Sequence, residues 1–438
     1  MKSFRQTVII FWNLLVPYLR VLRGIFRRYL LVPSRRLFGP SIPIAMITGT
    51  KGKTTTTRML SHILSKAGHR VGFTSTDGIV ISGEYIKRAD CSEYNGAHIV
   101  LTDQSITAAV LETARGGLLK LGLYIDRCNV AALLNVGREQ IGIDGIETVE
   151  QMAALKQRVI NAARDAVVLN ADDVLCSKMI GQYPIGRVIL FSLEEDNQFV
   201  QDHIEQGGIA YILKNSVEGE CIERWDKKAK VPVISITDLP SSGNGLFPQN
   251  IANAMAAAAL ADGMGIPMKT VRAALHSFEN SLEHSPGHLN FLEGYSQTIL
   301  LDCVATVPSS SALVRSLGRM NVSGHRVCMY TTAGNRPNWH YTELGEILGP
   351  HFDHFICYEL EEYARGRDLG VISELLKAGL VLAGVSSDII VTAQGYIDAT
   401  RQLSKIVGQN DLVVILMGSA HNYIPVFREN FSTHKINE

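Results

Sequence analysis

No C-x-x-C pair occurs in the sequence: its seven cysteines (Cys91, Cys128, Cys176, Cys221, Cys303, Cys328 and Cys357) are scattered and odd in number. That leaves no paired-cysteine metal or redox motif, and the thiols read as reduced and mostly buried in a cytosolic chain. No H-E-x-x-H string occurs, so a zinc hydrolase has no support, and Ser309, Ser310 and Ser311 lack the G-x-S-x-G setting of a nucleophile elbow and suit a helix N-cap instead. Low-complexity tracts are missing too. With 46% apolar and only 19% charged residues, 38 Gly and 14 Pro, the chain is neither disordered, collagenous nor a coiled rod. Its 438 residues set a prior of two or three domains.

Net charge is zero, Lys+Arg and Asp+Glu both totalling 42, which leaves a wholly basic nucleic-acid binder without support. The balance conceals a local excess. Lys2, Arg5, Arg20, Arg23, Arg27, Arg28, Arg35 and Arg36 face no acidic residue before Phe38, so the remainder carries 34 basic against 42 acidic residues. Within this segment Gln6 to Leu19 is a mostly apolar run of 14, short of the roughly 20 residues that span a bilayer. Arg20, Arg23, Arg27 and Arg28 fall at helical spacing, giving a basic amphipathic helix, with Trp12 and Tyr18 suited to the headgroup boundary. An interfacial anchor on an anionic inner membrane face, a span with Arg20 snorkelling, and a helix docked on a partner all fit. A cleaved signal peptide fits least, because the basic residues follow the apolar run and no A-x-A site closes it.

From Ile44 onward short apolar runs alternate with helical patterns. IAMIT, AAVLE, VAALLNV and AVVLNA read as buried parallel strands, with helices over Thr54 to Ala67, Thr148 to Ala163 and Asn250 to Met264. Past a linker near Ser281 to Gly287 the alternation restarts with TILLD, a helix from Ser309, RVCMYTTA, HFDHFICYE, a helix from Leu369, DIIVTA and DLVVILMG. The expected class is α/β: a P-loop, ATPase-like central domain over 41–284 and a smaller Rossmann-like C-terminal α/β domain over 285–438, preceded by the basic segment and linker of 1–40.

The sharpest local signal is ITGTKGKTTTTR, where an apolar strand runs through Gly49, Thr50, Lys51, Gly52 and Lys53 into a helix opening with Thr54 and Thr55. Glycines let backbone N–H groups approach phosphate oxygens, Lys53 neutralises terminal-phosphate charge, and a threonine hydroxyl can hold Mg²⁺. The spacing departs from G-x-x-x-x-G-K-[ST], since its first glycine would fall on Ile47.

This shorter Gly-Thr-x-Gly-Lys-Thr-Thr string resembles the nucleotide loop of the Mur ligase family, ATP-dependent amide ligases. VLETARGGLL (Val110 to Leu119), Asn135-Val136, TVEQMAALK (Thr148 to Lys156), VLNADD (Val168 to Asp173) and Ser285-Pro-Gly287 resemble, in order, the C-terminal ligase part of cyanophycin synthetases. The basic N-terminus and the closing VVILMGSAHNYIPVF are similar to poly-γ-glutamate synthases. The resemblance implies that Lys53 meets the γ-phosphate of ATP, and that Thr54 or Thr55 with Glu112, at a strand end, holds Mg²⁺. It matches Lys156 to a lysine often carboxylated on nitrogen as an anionic metal ligand. It also places Asn250 and Asn253 toward adenine, Asp302 at the start of a third-domain motif, and Asn335 and Arg336 with Arg365 to Arg367 in that domain's arginine elements.

Five departures accompany the match. Glu139-Gln140 stands where the family has Asp-His, which weakens a second Mg²⁺ site unless Glu139 serves. Asp302 to Pro308 lacks the Tyr and His of the family's motif, His288 replaces an arginine, Asn335 an aspartate, and Gln249 the histidine before Asn250. The implied function is activation of an amino-acid or peptide carboxylate as an acyl phosphate, then attack by an amine. The alternative is a nucleotide-binding, catalytically reduced subunit of a membrane-associated biosynthetic complex. Expected partners are these substrates and, through residues 1–38, an anionic membrane surface or a membrane protein, with no nucleic acid.

Overall fold

Strand β1 (Ile44–Thr48) shows why the apolar runs are continuous rather than alternating: Ala45 and Ile47 enter one core, Ile44 and Met46 the other, so both faces are covered. The computed structural model describes residues 42–139, 141–303 and 305–431. The expected N-terminal amphipathic segment and Gln140 lie outside the described residues. Among the described residues no helix is long and apolar enough to cross a membrane.

The first sheet also holds β2 (Val71–Thr74), β3 (Ile79–Ile81), β4 (Glu84–Lys87), β5 (Ala108–Glu112), β6 (Cys128–Leu133) and β7 (Ala163–Asn170). It continues through β8 (Val188–Ser192), β9 (Ile209–Ser216), β10 (Gly219–Trp225) and β11 (Lys230–Ser235). Its order is β11-β10-β9-β8-β7-β6-β1-β5-β2-β3-β4. From β9 to β2 the strands are parallel; β3–β4 and β10–β11 add antiparallel flaps that the sequence alternation did not reveal. The chain leaves β1 for β2, returns to insert β5 beside β1, then crosses to β6. That reversal opens a crevice at the carboxyl ends of β1, β5 and β6, the position where such sheets bind ligands.

Three helices frame the crevice. Lys53–Lys66 begins at Gly52, held in the left-handed region (φ 82°), and has no acidic residue in its first turn, so its N–H groups stay available to an anion. Pro248–Gly263 buries Ala254 and Ala256 to Ala259 completely, small side chains that let it seat closely on the sheet. Val149–Ile160 opens with a capping box between Thr148 and Gln151. It ends earlier than the sequence pattern suggested: Asn161 caps it, and Ala163, expected as its last residue, instead opens β7 opposite Cys128.

The second sheet comprises β12 (Asn290–Leu292), β13 (Thr298–Cys303), β14 (Arg326–Tyr330), β15 (His354–Glu359), β16 (Ile390–Gln394) and β17 (Leu412–Met417), ordered β12-β13-β17-β14-β15-β16. All neighbours are parallel except the edge hairpin β12–β13. The helix expected from Ser309 spans Val307–Leu317, because Thr306 caps it and Ser309 closes the capping box from inside. Helices Asn338–Leu348 and Val371–Leu382 cross so closely that a Cβ on Gly345 would lie 2.2 Å from the Gly379 carbonyl oxygen, which reserves the position for glycine. All seven cysteines are free, and five are buried.

Candidate active site

Asn135, just past β6, pins the phosphate loop from beneath. Its side-chain oxygen accepts from the backbone N–H groups of Thr50 (2.9 Å) and Lys51 (2.8 Å), and its amide donates to the Lys51 carbonyl (3.2 Å). A Cβ on Gly52 would fall 2.3 Å from Asn253 Oδ1, so both the conformation and the space there demand glycine. Lys53 Nζ donates to the Thr50 carbonyl at 3.0 Å. Burial lowers the Lys53 pKa despite the facing carboxylate of Glu112.

Glu112 closes β5 and is 2% exposed. One carboxylate oxygen accepts from Thr54 Oγ1 (2.8 Å) and from the Thr76 backbone (3.3 Å); the other, Oε1, is buried without a hydrogen-bond partner. Burial raises the Glu112 pKa, and Lys53 and Thr54 offset only part of that rise. A buried, orphaned carboxylate oxygen beside a threonine hydroxyl is a hard-oxygen donor set, and it fits Mg²⁺.

Lys156 projects from Val149–Ile160 to donate to the Gly49 carbonyl at 2.8 Å. It is 2% exposed, and burial, reinforced by Lys53, lowers its pKa to about 7. A bare ammonium is no metal ligand, so the metal role expected for Lys156 requires its N-carboxylated form. A pKa near neutrality supplies the free amine such a modification needs.

The loop separates two cavities. The first, about 460 Å³, is lined by Lys53, Thr54, Glu112, Asn250, Asn253 and Asp302 among others. Its far wall comes from the second sheet, through His288, Cys303 and Ser309. The second, about 450 Å³, is lined by charged groups: Asp90, Glu93, Arg115, Lys120, Glu139 and Lys156. Thr50, Lys53 and Thr76 line both.

The remaining expected residues divide. Asn250 spends its amide on the Ser241 carbonyl (2.9 Å) and Asn280 Oδ1 (3.2 Å), and its oxygen accepts from Asn253 (3.3 Å). Burial raises the Asp302 pKa, with His288 opposing. Asn335 is exposed and, with Arg336, lies outside the residues lining either cavity. Arg367 instead braces their turn, donating to the carbonyls of Gly334 (2.6 Å) and Arg336 (3.0 Å). Thr76 and Asp77 gave no sequence signal beyond their place after β2, and Asn135 only its place in a matched dipeptide. Burial would raise the Glu139 pKa, but Lys51, at 3.5 Å, leads Thr306 and Arg336 in holding it below the usual value.

Comparison with known proteins agrees with this geometry. The Mur ligase middle domain matches residues 47–261. Cyanophycin synthetase of Geminocystis herdmanii is 33% identical over 397 residues, covering 89% of this chain but 44% of that protein. The chain thus spans less than half the length of the cyanophycin synthetases it matches. A UDP-N-acetylmuramoyl-L-alanyl-D-glutamate–2,6-diaminopimelate ligase of Caldanaerobacter subterraneus is 25% identical, over 86% of this chain and 72% of that one. Among solved structures, MurF of Acinetobacter baumannii superposes with a TM-score of 0.64 at 18% identity, covering 94% of this chain and 80% of that one. A bifunctional folylpolyglutamate synthase/dihydrofolate synthase gives 0.60 at 19%, over 90% and 92%. At those identities the structures establish the shared fold, and the sequence match assigns one segment: residues 47–261 are a Mur ligase middle domain.

Proposed function

We propose that the chain is an ATP-dependent carboxylate–amine ligase, and that its two sheets form the two domains dividing near residue 284. The observation that carries this reading is the pair of similar cavities meeting at Thr50, Lys53 and Thr76, one deep beside the loop and one ringed by charge. ATP occupies the first, its phosphates on the Gly49–Thr55 loop and helix N-terminus, with Asn253 and Asp302 toward the nucleoside end. An amino-acid or peptide carboxylate occupies the second, where Arg115 and Lys120 supply cationic partners. A folylpolyglutamate synthase of the same fold binds Mn, AMPPNP and L-glutamate, the same kinds of ligand.

Lys53 sits between the two and neutralises charge on the phosphoryl group as the carboxylate attacks it, giving an acyl phosphate and ADP. Bound Mg²⁺, held by Thr54, Glu112 and carboxylated Lys156, would supply further phosphate charge neutralisation. The amine then displaces phosphate, and closure of the second sheet's wall over the loop keeps water from the acyl phosphate. Glu112 keeps an open oxygen and both cavities keep their charged linings, so the catalytically reduced subunit is the weaker reading.

The test is ADP release by the full chain with MgATP against a panel of amino acids and acidic peptides. Release that requires both a carboxylate and an amine supports the ligase. ATP binding with no substrate-stimulated release sinks it in favour of the reduced subunit.

A further inference from the structure

The far wall of the first cavity carries two side chains, His288 and Cys303, that the proposed ligase reaction does not use, beside Asp302. Antiparallel pairing sets Asn290 against Leu301, and continuing that register sets Leu289 and His288 against Asp302 and Cys303. Asn290 locks the approach: its amide donates to the carbonyls of Ser285 (3.0 Å) and Asn280 (2.8 Å), and its oxygen accepts from the Gly287 N–H (2.6 Å). His288 Nδ1 comes to lie 3.1 Å from Cys303 Sγ. One ligand atom each from His288, Asp302 and Cys303 falls within 4.8 Å of the others.

Zinc–nitrogen and zinc–sulfur bonds of about 2.0 and 2.3 Å place tetrahedral ligand atoms roughly 3.3–3.6 Å apart; Cys303 Sγ lies 3.8 Å from Nε2 as well as 3.1 Å from Nδ1, so closing the cluster on one ion takes a turn of the imidazole that aims Nδ1 at it. The other ring nitrogen adds an independent observation. His288 Nε2 faces Asp77 Oδ2 at 3.7 Å, and Asp77 is itself held by Arg58 at 3.0 Å. A carboxylate behind the imidazole, opposite the metal side, is the usual outer-shell arrangement that orients a ligating histidine.

We infer that His288, Asp302 and Cys303 form a binding site for a borderline-soft divalent transition cation such as Zn²⁺, with Asp77 orienting the imidazole and a fourth position open to the cavity. Thiolate and imidazole separate this site from the all-oxygen set at Glu112 and Thr54, which suits Mg²⁺. Loading expels the Cys303 thiol proton, which has the Gly287 carbonyl and His288 Nδ1 each at 3.1 Å, to solvent, and the cation takes its place. Because Asp77 comes from the first sheet and the three ligands from the second, the ion would tie the two walls together across the cavity.

The experiment titrates the reduced, chelator-stripped full chain with Co²⁺ in the absence of nucleotide, so a failed ligase assay leaves its outcome untouched. The expected result is one equivalent bound, with a near-ultraviolet thiolate-to-cobalt band, displaced by Zn²⁺ and not by excess Mg²⁺. Cys303→Ser removes that band, while Asp77→Asn keeps it and weakens binding about tenfold. A band that survives Cys303→Ser, or no band in the wild-type chain, overturns the proposal. A second measurement needs no variant: Zn²⁺ should shield Cys303 from alkylation and leave Cys221, the other half-buried thiol, as reactive as before. Equal protection or equal reactivity of both thiols also overturns it.

Discussion

The nucleotide cavity has two walls of different character. The wall from the first sheet gathers residues far apart in the chain at the ends of parallel strands: Gly52, Lys53 and Thr54 follow β1 directly, Glu112 ends β5, and Asn135 follows β6, so that Thr54 meets Glu112 across 58 residues and Thr50 meets Asn135 across 85. The wall from the second sheet is built largely by one hairpin, which sets His288 against Cys303 only 15 residues on, with Asp77 facing His288 across the gap between sheets. The first concentrates unsatisfied polarity on a ligand: an orphaned Glu112 oxygen, a free helix N-terminus and a lysine whose charge burial disfavours. The second pairs its groups with one another. Unsatisfied polarity therefore lies beside the Gly49–Thr55 loop, and substitutions there should cost far more turnover than substitutions opposite.

The largest expected effect is Lys53→Ala. Removing a preorganised charge from the transferring phosphoryl group should lower substrate-stimulated ADP release by two to three orders of magnitude, about 3–4 kcal/mol. Among the described residues the Lys53 side chain makes one hydrogen bond, to the Thr50 carbonyl, and faces the Glu112 carboxylate, so the thermal midpoint is measured alongside to separate lost folding from lost turnover. Equal losses from Lys53→Ala and from Cys303→Ala would erase the distinction between the walls.

Lys156→Met probes the same wall through stability. In the folded chain Lys156 releases its proton near pH 7, while in the unfolded chain it holds it to about 10.5. Its depressed value makes its contribution favourable only above that range; as pH falls through the folded value, stability is lost. A drop of this size corresponds to on the order of 5 kcal/mol, and about 1 kcal/mol for the lost hydrogen bond to Gly49 is set against it. The methionine variant should be the more stable chain at pH 6 to 7, and its advantage should shrink as pH rises toward 10. Denaturant midpoints across that range check this, and an advantage growing with pH contradicts the neutral amine.

The same contrast explains what the sequence made legible. The strand–loop–helix unit and the carboxylate ending β5 are local patterns, and Gly49 to Thr55, Glu112 and Lys156, grouped by the resemblance, lie around the two cavities that flank the loop. The parallel order was legible because fully buried strands read as unbroken apolar runs. The antiparallel flaps were not, since Glu84–Lys87 is nearly all exposed and shows no such run. Nor could spacing reveal the pairing of His288 with Cys303, which depends on hairpin register. Asn250 shows the limit most clearly. Its motif placed it at a nucleotide, yet its amide is spent on Ser241 and Asn280, partners distant from any motif. Asn250→Ala should therefore cost about 1–3 kcal/mol of stability through the polar groups it leaves unpaired. Nucleotide affinity of the folded fraction should change less, which calorimetry on the variant at low temperature can separate from unfolding.

The smallest effect is expected at Asn335, and it tests the comparison from the quiet side. Asn335 stands where the resemblance expects an aspartate, so Asn335→Asp restores the matched residue. The side chain is exposed, outside both cavity linings, and its one partner is the equally exposed Arg365 guanidinium at 3.5 Å. A carboxylate there gains an ion pair screened by water, within about 0.5 kcal/mol of stability. Arg336, whose buried Nε has no hydrogen-bond partner, is held instead by Arg367 through the turn backbone, which the substitution leaves alone. Turnover and nucleotide KM should thus stay within about threefold of the wild type, because the side chain is exposed and lies outside both cavity linings. A tenfold or larger gain in turnover would mean that residue 335 swings into the cavity when the walls close, and that the second sheet addresses the phosphates as directly as the first.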